Sequence, residues 1–232
     1  MNTKPNLKLV IGDKNLSSWS LRPWLVMKAS GLVYDEILVR LDRPETSAEL
    51  SKYSASKKVP VLLESGTAIW DSLAICERIA ELAPEIDLWP KSTLDRAVAR
   101  SYVAEMHSSF QALRSQLSMD VSLRMSIKHL TKTTIDDINR ILALWTSALD
   151  HYNSRYLFGE SFSIVDAFYA PVVLRFQSYG IVIKSDKIQS YMRQVLSYPY
   201  LVDWINAAKI ESYEAHRFTE ISSRDVIFYN PV

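Results

Sequence analysis

The chain has 232 residues, and its Lys plus Arg (27) nearly balance its Asp plus Glu (26), so it carries no electrostatic footprint for DNA, RNA or an anionic membrane. That length buries enough surface to fold without metal or disulfide. A single cysteine, Cys76, excludes an internal disulfide and a multi-cysteine metal site. No stretch approaches the roughly 20 apolar residues of a membrane helix. The apolar run behind Met1 to Asn6 is too brief and wrongly flanked for a signal peptide, so a cytoplasmic protein is expected.

In chain order, Leu7-Lys8-Leu9-Val10-Ile11 reads as a buried first strand closed by Gly12-Asp13. A helix is predicted from about Ser20 to Ser30, with Pro23 tolerated in its first turn and Gly31 as its stop. Tyr34 to Leu41 alternates as a second strand, and a weakly specified helix runs from Arg43 to Tyr53. Val59 to Leu63 and Thr67 to Trp70 flank the turn residues Ser65-Gly66 and form a hairpin. Asp71 then caps a helix carrying Leu73, Ile75, Ile79 and Leu82, which gives β-α-β-α-β-β-α. The pattern lapses from Pro84 to Pro90, a linker, and no convincing strand follows. Helical spacing marks Thr93 to about Leu117, Thr134 to about Tyr156, Ser163 to Tyr179, and Ile188 to Ala208 with a break at Tyr198-Pro199. Ser212 to Val232 is expected to be an irregular tail. The predicted organisation is an α/β domain over 1–83, a linker over 84–90 and an all-helical domain over 91–232.

Chemistry concentrates at the junctions. Ser17, Ser18 and Ser20 stand where the first strand hands over to a helix, and helix N-termini present unpaired N–H groups and the positive dipole end to an anion. Ser20, three residues before Pro23, is well placed to cap that helix. Pro60 is either an edge-strand proline or a cis proline that turns the backbone of Val59 outward to pair with an extended peptide. Asp71-Ser72 is either a plain N-cap or a site for an α-amino acid head group, with the carboxylate on its ammonium and the serine on its carboxylate.

The set Ser17-Ser18-Trp19-Ser20-x-Arg22, then Val59-Pro60-Val61-Leu62, then Asp71-Ser72-Leu73-Ala74-Ile75, resembles the cytosolic glutathione transferases, in particular a serine-using, zeta-like bacterial branch. Phe162-Ser163-Ile164-Val165-Asp166-Ala167 looks like that family's helix-start motif, with Ser163 as cap and Asp166 reaching back. The resemblance covers all but about the final 20 residues. It implies a thioredoxin-like N-terminal domain that binds glutathione, followed by an all-α domain. It also places the γ-glutamyl end at Asp71 and Ser72 and the cysteinyl backbone beside Val59 and Pro60. Lys58 is either half of a solvated pair with Lys57 or, as the resemblance implies, within reach of the glycine carboxylate.

Ser17, with Ser18 as its rival, would match the catalytic serine, which donates a hydrogen bond to the glutathione sulfur. A thiol of pKa about 8.5 is only about 3% ionised at pH 7, and lowering it by about two units takes about 2.7 kcal/mol of differential stabilisation. One charge-assisted hydrogen bond plus a helix N-terminus can supply that without a general base. Cys76 is expected to be a buried small apolar residue, and cysteine-type members carry their cysteine where Ser17 or Ser18 stands, which disfavours thiol-disulfide exchange. Arg22 is expected to hold the domain together rather than touch substrate.

In the helical region, Tyr102, Glu105, Met106, His107, Phe110 and Arg114 fall at spacings that bring several to one helix face. Helical packing is one explanation; a second-substrate pocket lined by His107 and Phe110 is the other. Arg175 would bind an anionic substrate as an arginine on that helix does in the maleylacetoacetate isomerases, although its spacing from Pro171 differs by about one turn. No histidine pair has metal-ligand spacing, and no metal is expected. The expected function is a homodimeric glutathione transferase conjugating a small electrophile. The alternatives are a glutathione-dependent maleylacetoacetate-type cis-trans isomerase and a non-catalytic adaptor on the same fold.

Overall fold

A computed structural model describes residues 6–214 and 227–229. The N-terminal part holds β1 (Leu7–Ile11), α1 (Ser18–Ser30), β2 (Asp35–Leu38), α2 (Thr46–Leu50), β3 (Val61–Glu64), β4 (Thr67–Ile69) and α3 (Ser72–Leu82). The strands form one small mixed sheet in the order β2-β1-β3-β4, with β1 parallel to β2 and antiparallel to β3, and β3 antiparallel to β4. Alternation sends Leu7, Leu9 and Ile11 into the main core with α1 and α3, while Val10 meets Val39, Leu50 and Val61 on the face that α2 covers. The β3–β4 turn uses Ser65 and Gly66, both at positive φ (49° and 90°), as a two-residue hairpin demands.

The second part is built from α4 (Thr93–Ser108), α5 (Gln111–Gln116), α6 (Lys132–Tyr152), α7 (Ile164–Ser178), β5 (Ile181–Ile183), α8 (Asp186–Leu196), α9 (Pro199–Glu214) and β6 (Ile227–Tyr229). Helix α7 is buried around nearly its whole circumference, which makes it the central helix of this domain. It starts at the motif with Asp166, whose carboxylate accepts the Ser163 N–H at 2.9 Å, the Ser163 hydroxyl at 2.8 Å and the Leu157 N–H at 3.1 Å. Trp145 of α6 fills the space beside it, with Tyr169, Phe176 and Tyr191 packed edge-on or tilted against its ring.

Three expectations need correction. The helix expected from Thr93 to Leu117 breaks at Ser109-Phe110, where Phe110 takes a left-handed φ of 66°. Arg114 folds back there to donate to the carbonyls of Ser109 and Met106, supplying partners that the end of α4 lacks. The helical region also contains a parallel pair, β5–β6, where no strand was expected. The β-branched run Ile181-Val182-Ile183 behind Gly180 (φ 64°) supplies one strand, and 227–229, inside the segment expected to be an irregular tail, supplies the other. Finally, α9 carries on through Glu214, past the expected start of the tail; 215–226 and 230–232 lie outside the described residues.

Both parts meet at the serine loop. Asn15 donates to Asp120 Oδ1 at 2.9 Å, accepts the Ser122 N–H at 2.9 Å on its side-chain oxygen, and accepts the Val121 N–H at 3.1 Å on its carbonyl. The Trp204 indole donates to the Lys14 carbonyl at 2.8 Å. The loop that precedes α1 is thus held by residues more than 100 positions away.

Candidate functional site

Ser17, not Ser20, is the N-cap of α1: its hydroxyl oxygen accepts the Ser20 N–H at 3.2 Å. Ser20 lies one turn inside and cannot cap; its oxygen accepts the Gly12 N–H at 3.0 Å and the Ser17 hydroxyl at 2.8 Å. The single proton of Ser17 is therefore directed at Ser20. Ser18, the first helical residue, is 6% exposed, and its oxygen accepts from Arg175 Nη2 at 3.4 Å. That contact uses Ser18 as an acceptor and leaves its own O–H to donate.

Beside this turn opens a cleft of about 500 Å³ lined by Trp19, Ser56, Lys58, Val59, Pro60, Trp70, Asp71 and Ser72. The edge-strand explanation of Pro60 does not hold, because β3 lies between β1 and β4; Pro60 precedes the strand, and the Val59–Pro60 bond is cis. Val59 stands outside the ladder that begins at Val61. Asp71 divides its oxygens: Oδ1 caps α3 by accepting the N–H groups of Leu73 (3.0 Å) and Ala74 (3.5 Å), while Oδ2 meets His107 Nε2 at 2.8 Å. The Ser72 hydroxyl is buried at the same helix start and has no partner among the described residues. A larger cavity, about 580 Å³, opens by Leu32, Val33 and Tyr34; its lining holds Asp35 and Glu85 and no basic residue, so it offers nothing to an anionic peptide.

Three arginines gather on the inner side of the serine turn. Arg22 is wholly buried, none of its guanidinium nitrogens has a hydrogen-bond partner among the described residues, and it lies 4.2 Å from the Trp19 ring centroid and 4.8 Å from that of Phe168. Arg114 approaches the Trp19 ring at 5.1 Å, and Arg175 donates to the Leu117 carbonyl at 2.7 Å as well as to Ser18. Burial pulls Arg22, Arg114 and Arg175 below the usual guanidinium range, Arg175 to about 9, and the charge of Arg114 pulls Arg22 and Arg175 further. The Cys76 thiol is also fully buried, and burial pushes its pKa up, which makes it a packing residue rather than a nucleophile.

A family model for the glutathione S-transferase N-terminal domain matches residues 16–82, and one for the C-terminal domain matches residues 95–207. The chain belongs to the glutathione S-transferase family. It is 35% identical over 99 residues to a maleylacetoacetate isomerase of Dictyostelium discoideum, an alignment spanning 42% of this chain and less than half, 45%, of that protein. With a probable maleylacetoacetate isomerase of Caenorhabditis elegans it shares 26% over 160 residues, 67% of this chain and 72% of the other. The solved glutathione transferase homolog from Burkholderia, which holds bound glutathione, superposes with a TM-score of 0.69 at 20% identity, over 88% of this chain and 99% of that one. At that identity the likeness speaks for the fold.

In this transferase-family chain the residues singled out from sequence do not all fall together. Lys58, Val59, Pro60, Asp71 and Ser72 line one cleft; Ser17, Ser18 and Arg175 are not among its lining residues. Ser18, next in sequence to Trp19, which does line it, touches Arg175. His107 lies against Asp71 and edge-on to Trp19 at 5.2 Å, while Phe110 is 4% exposed in the apolar core and packs rather than lines an opening. Trp19, Ser56, Trp70 and the gathering of Arg22 with Arg114 escaped sequence reasoning. Trp19 had a signal, because it sits inside the serine motif; the arginines had none, being 92 and 61 positions apart along the chain as 22→114 and 114→175. Among the described residues no three His, Cys, Asp or Glu side chains converge on a metal-sized site, and no helix is long and apolar enough to cross a membrane.

Proposed function

We propose that the protein is a glutathione transferase that binds glutathione in the Pro60–Asp71–Ser72 cleft and holds its sulfur as thiolate at the start of α1, for attack on a small electrophile. The γ-glutamyl ammonium goes to Asp71 Oδ2 and its carboxylate to the Ser72 hydroxyl and the N-terminus of α3; the cysteinyl backbone pairs with Val59, and Lys58 takes the glycine carboxylate. The observation that carries this reading is the buried, unpartnered Ser72 hydroxyl beside the Asp71 carboxylate in a cleft walled by Pro60 and Trp19. An unsatisfied buried hydroxyl costs about 1–3 kcal/mol, a cost that an incoming carboxylate removes.

For the thiolate partner we choose Ser18, reversing the order that the motif suggests. Ser17 spends its proton on Ser20, whereas Arg175 donates to Ser18 and leaves the Ser18 proton available. The helix N-terminus and the buried guanidinium groups add positive potential, so thiol ionisation requires no general base. Retention on immobilised glutathione and conjugation of a chloronitrobenzene test the reading; absence of both refutes it. Sedimentation analysis tests the homodimer and fractionation of cells the cytoplasmic location that go with this reading.

A second reading has its own support. The cluster Arg22, Arg114 and Arg175 carries more buried positive charge than a neutral electrophile needs, which favours glutathione-dependent cis-trans isomerisation of a maleyl-type dicarboxylate. The relatives named maleylacetoacetate isomerase point the same way. Isomerisation of the diacid without consumption of glutathione, with KM raised by Arg175→Gln, would select it over conjugation.

A further inference from the structure

Resting on the glutathione-binding reading, we propose that His107 is a positioning residue for the γ-glutamyl ammonium: as a neutral imidazole it fixes the Asp71 carboxylate for that group, and as a cation it competes with it. His107 comes from the C-terminal end of α4, in the other domain, and its Nε2 lies 2.8 Å from Asp71 Oδ2, the oxygen that the α3 cap leaves unused. Its Nδ1 is buried without a partner among the described residues. With the proton on Nε2, Nδ1 needs only a lone pair facing an apolar wall; with a second proton, it becomes a buried N–H with no acceptor.

The surroundings favour the neutral form. From α1, Trp19 presents its ring and Arg22 its charge; from α5 comes the charge of Arg114, from α7 the ring of Phe168, and from the start of α3 the Asp71 carboxylate. Burial lowers the His107 pKa below its usual 6.5; the carboxylate of Asp71 opposes this, and the two arginines reinforce it. Near pH 7 the imidazole is therefore neutral, and Asp71 presents its full charge to the ligand. As pH falls through the lowered pKa, the imidazolium neutralises Asp71 at hydrogen-bond distance and repels the incoming ammonium. By linkage, a bound ammonium depresses the His107 pKa further.

S-methylglutathione, which has no titrating thiol, is the probe, and calorimetry from pH 7.5 to pH 5.0 the assay. Its Kd is expected to rise about fivefold at the acid end in the wild-type protein, and to stay flat in His107→Gln, whose amide still donates to Asp71 but does not titrate. The deaminated analogue, S-methylated glutaryl-cysteinylglycine, should bind wild type with no such acid weakening, a control that needs no variant. A flat wild-type profile, a slope retained in His107→Gln, or an equal slope for the deaminated ligand overturns the inference while leaving the glutathione site standing. No binding of S-methylglutathione at any pH overturns both.

Discussion

Replacing Ser18 with alanine tests where the thiolate is made. The Ser18 oxygen accepts Arg175 Nη2 at 3.4 Å, a long contact, so little folding energy rests on it. Its own proton, by contrast, would make a charge-assisted hydrogen bond to sulfur, which contributes about 1.5–3 kcal/mol. Removing it should raise the pKa of bound glutathione by about 1–2 units, and lower kcat/KM about tenfold to hundredfold at pH values below the bound thiol pKa. The loss should shrink as pH rises above that pKa, because the thiolate then forms unaided. Ser17→Ala should behave differently: it deletes the α1 cap and the bond to Ser20, costing about 1 kcal/mol of stability with the thiol pKa nearly unmoved. Titration of the thiolate ultraviolet absorbance of the complex, paired with urea denaturation of each variant, reads both effects. If Ser17→Ala raises the thiol pKa and Ser18→Ala does not, the choice between the serines is wrong.

Asp166→Ala strands three donors at the start of α7, so a loss of about 3 kcal/mol or more is expected in urea denaturation. Burial outweighs those hydrogen bonds and pushes the Asp166 carboxyl up to about 6; a raised carboxyl favours folding below its unfolded pKa, so stability should fall as pH rises from about 4 to about 6, a slope that Asp166→Asn removes. Arg22→Met keeps the volume, relieves a buried unpartnered cation and forfeits its contacts with Trp19 and Phe168, opposing effects of similar size. Stability should stay within about 1 kcal/mol of wild type, while the bound thiol pKa rises; a variant that fails to fold would assign Arg22 to structure alone. Trp204→Phe removes the donor to the Lys14 carbonyl, and should cost about 1 kcal/mol and weaken glutathione binding by loosening the serine loop.

The order of elements through Leu82 was readable because its causes are local. A short apolar run marks Leu7–Ile11, a two-residue turn at Ser65-Gly66 makes the hairpin, and Asp71 caps the helix that follows it. The α7 start was readable for the same reason, since Ser163 and Asp166 are three residues apart. The strand β5 left a local trace in Ile181-Val182-Ile183, but its partner is 46 positions further on, and three residues do not announce a strand without one.

The sequence by itself determined the order of strands, turns and helices through Leu82, because strand period and turn chemistry are local. That a thioredoxin-like sheet brings a serine turn, a proline and an Asp-Ser pair into one neighbourhood followed only from the resemblance to the glutathione transferases. Only the tertiary structure decided what each group faces. Ser18 meets Arg175 across 157 positions, His107 meets Asp71 from another domain, and Arg22, Arg114 and Arg175 converge from three helices. Spacing along a helix shows which residues share a face, but the partner of that face is set by how helices pack around α7. Contacts of the same kind separate the serines: Ser17 accepts the Ser20 N–H as the cap of α1, whereas Ser18 meets Arg175.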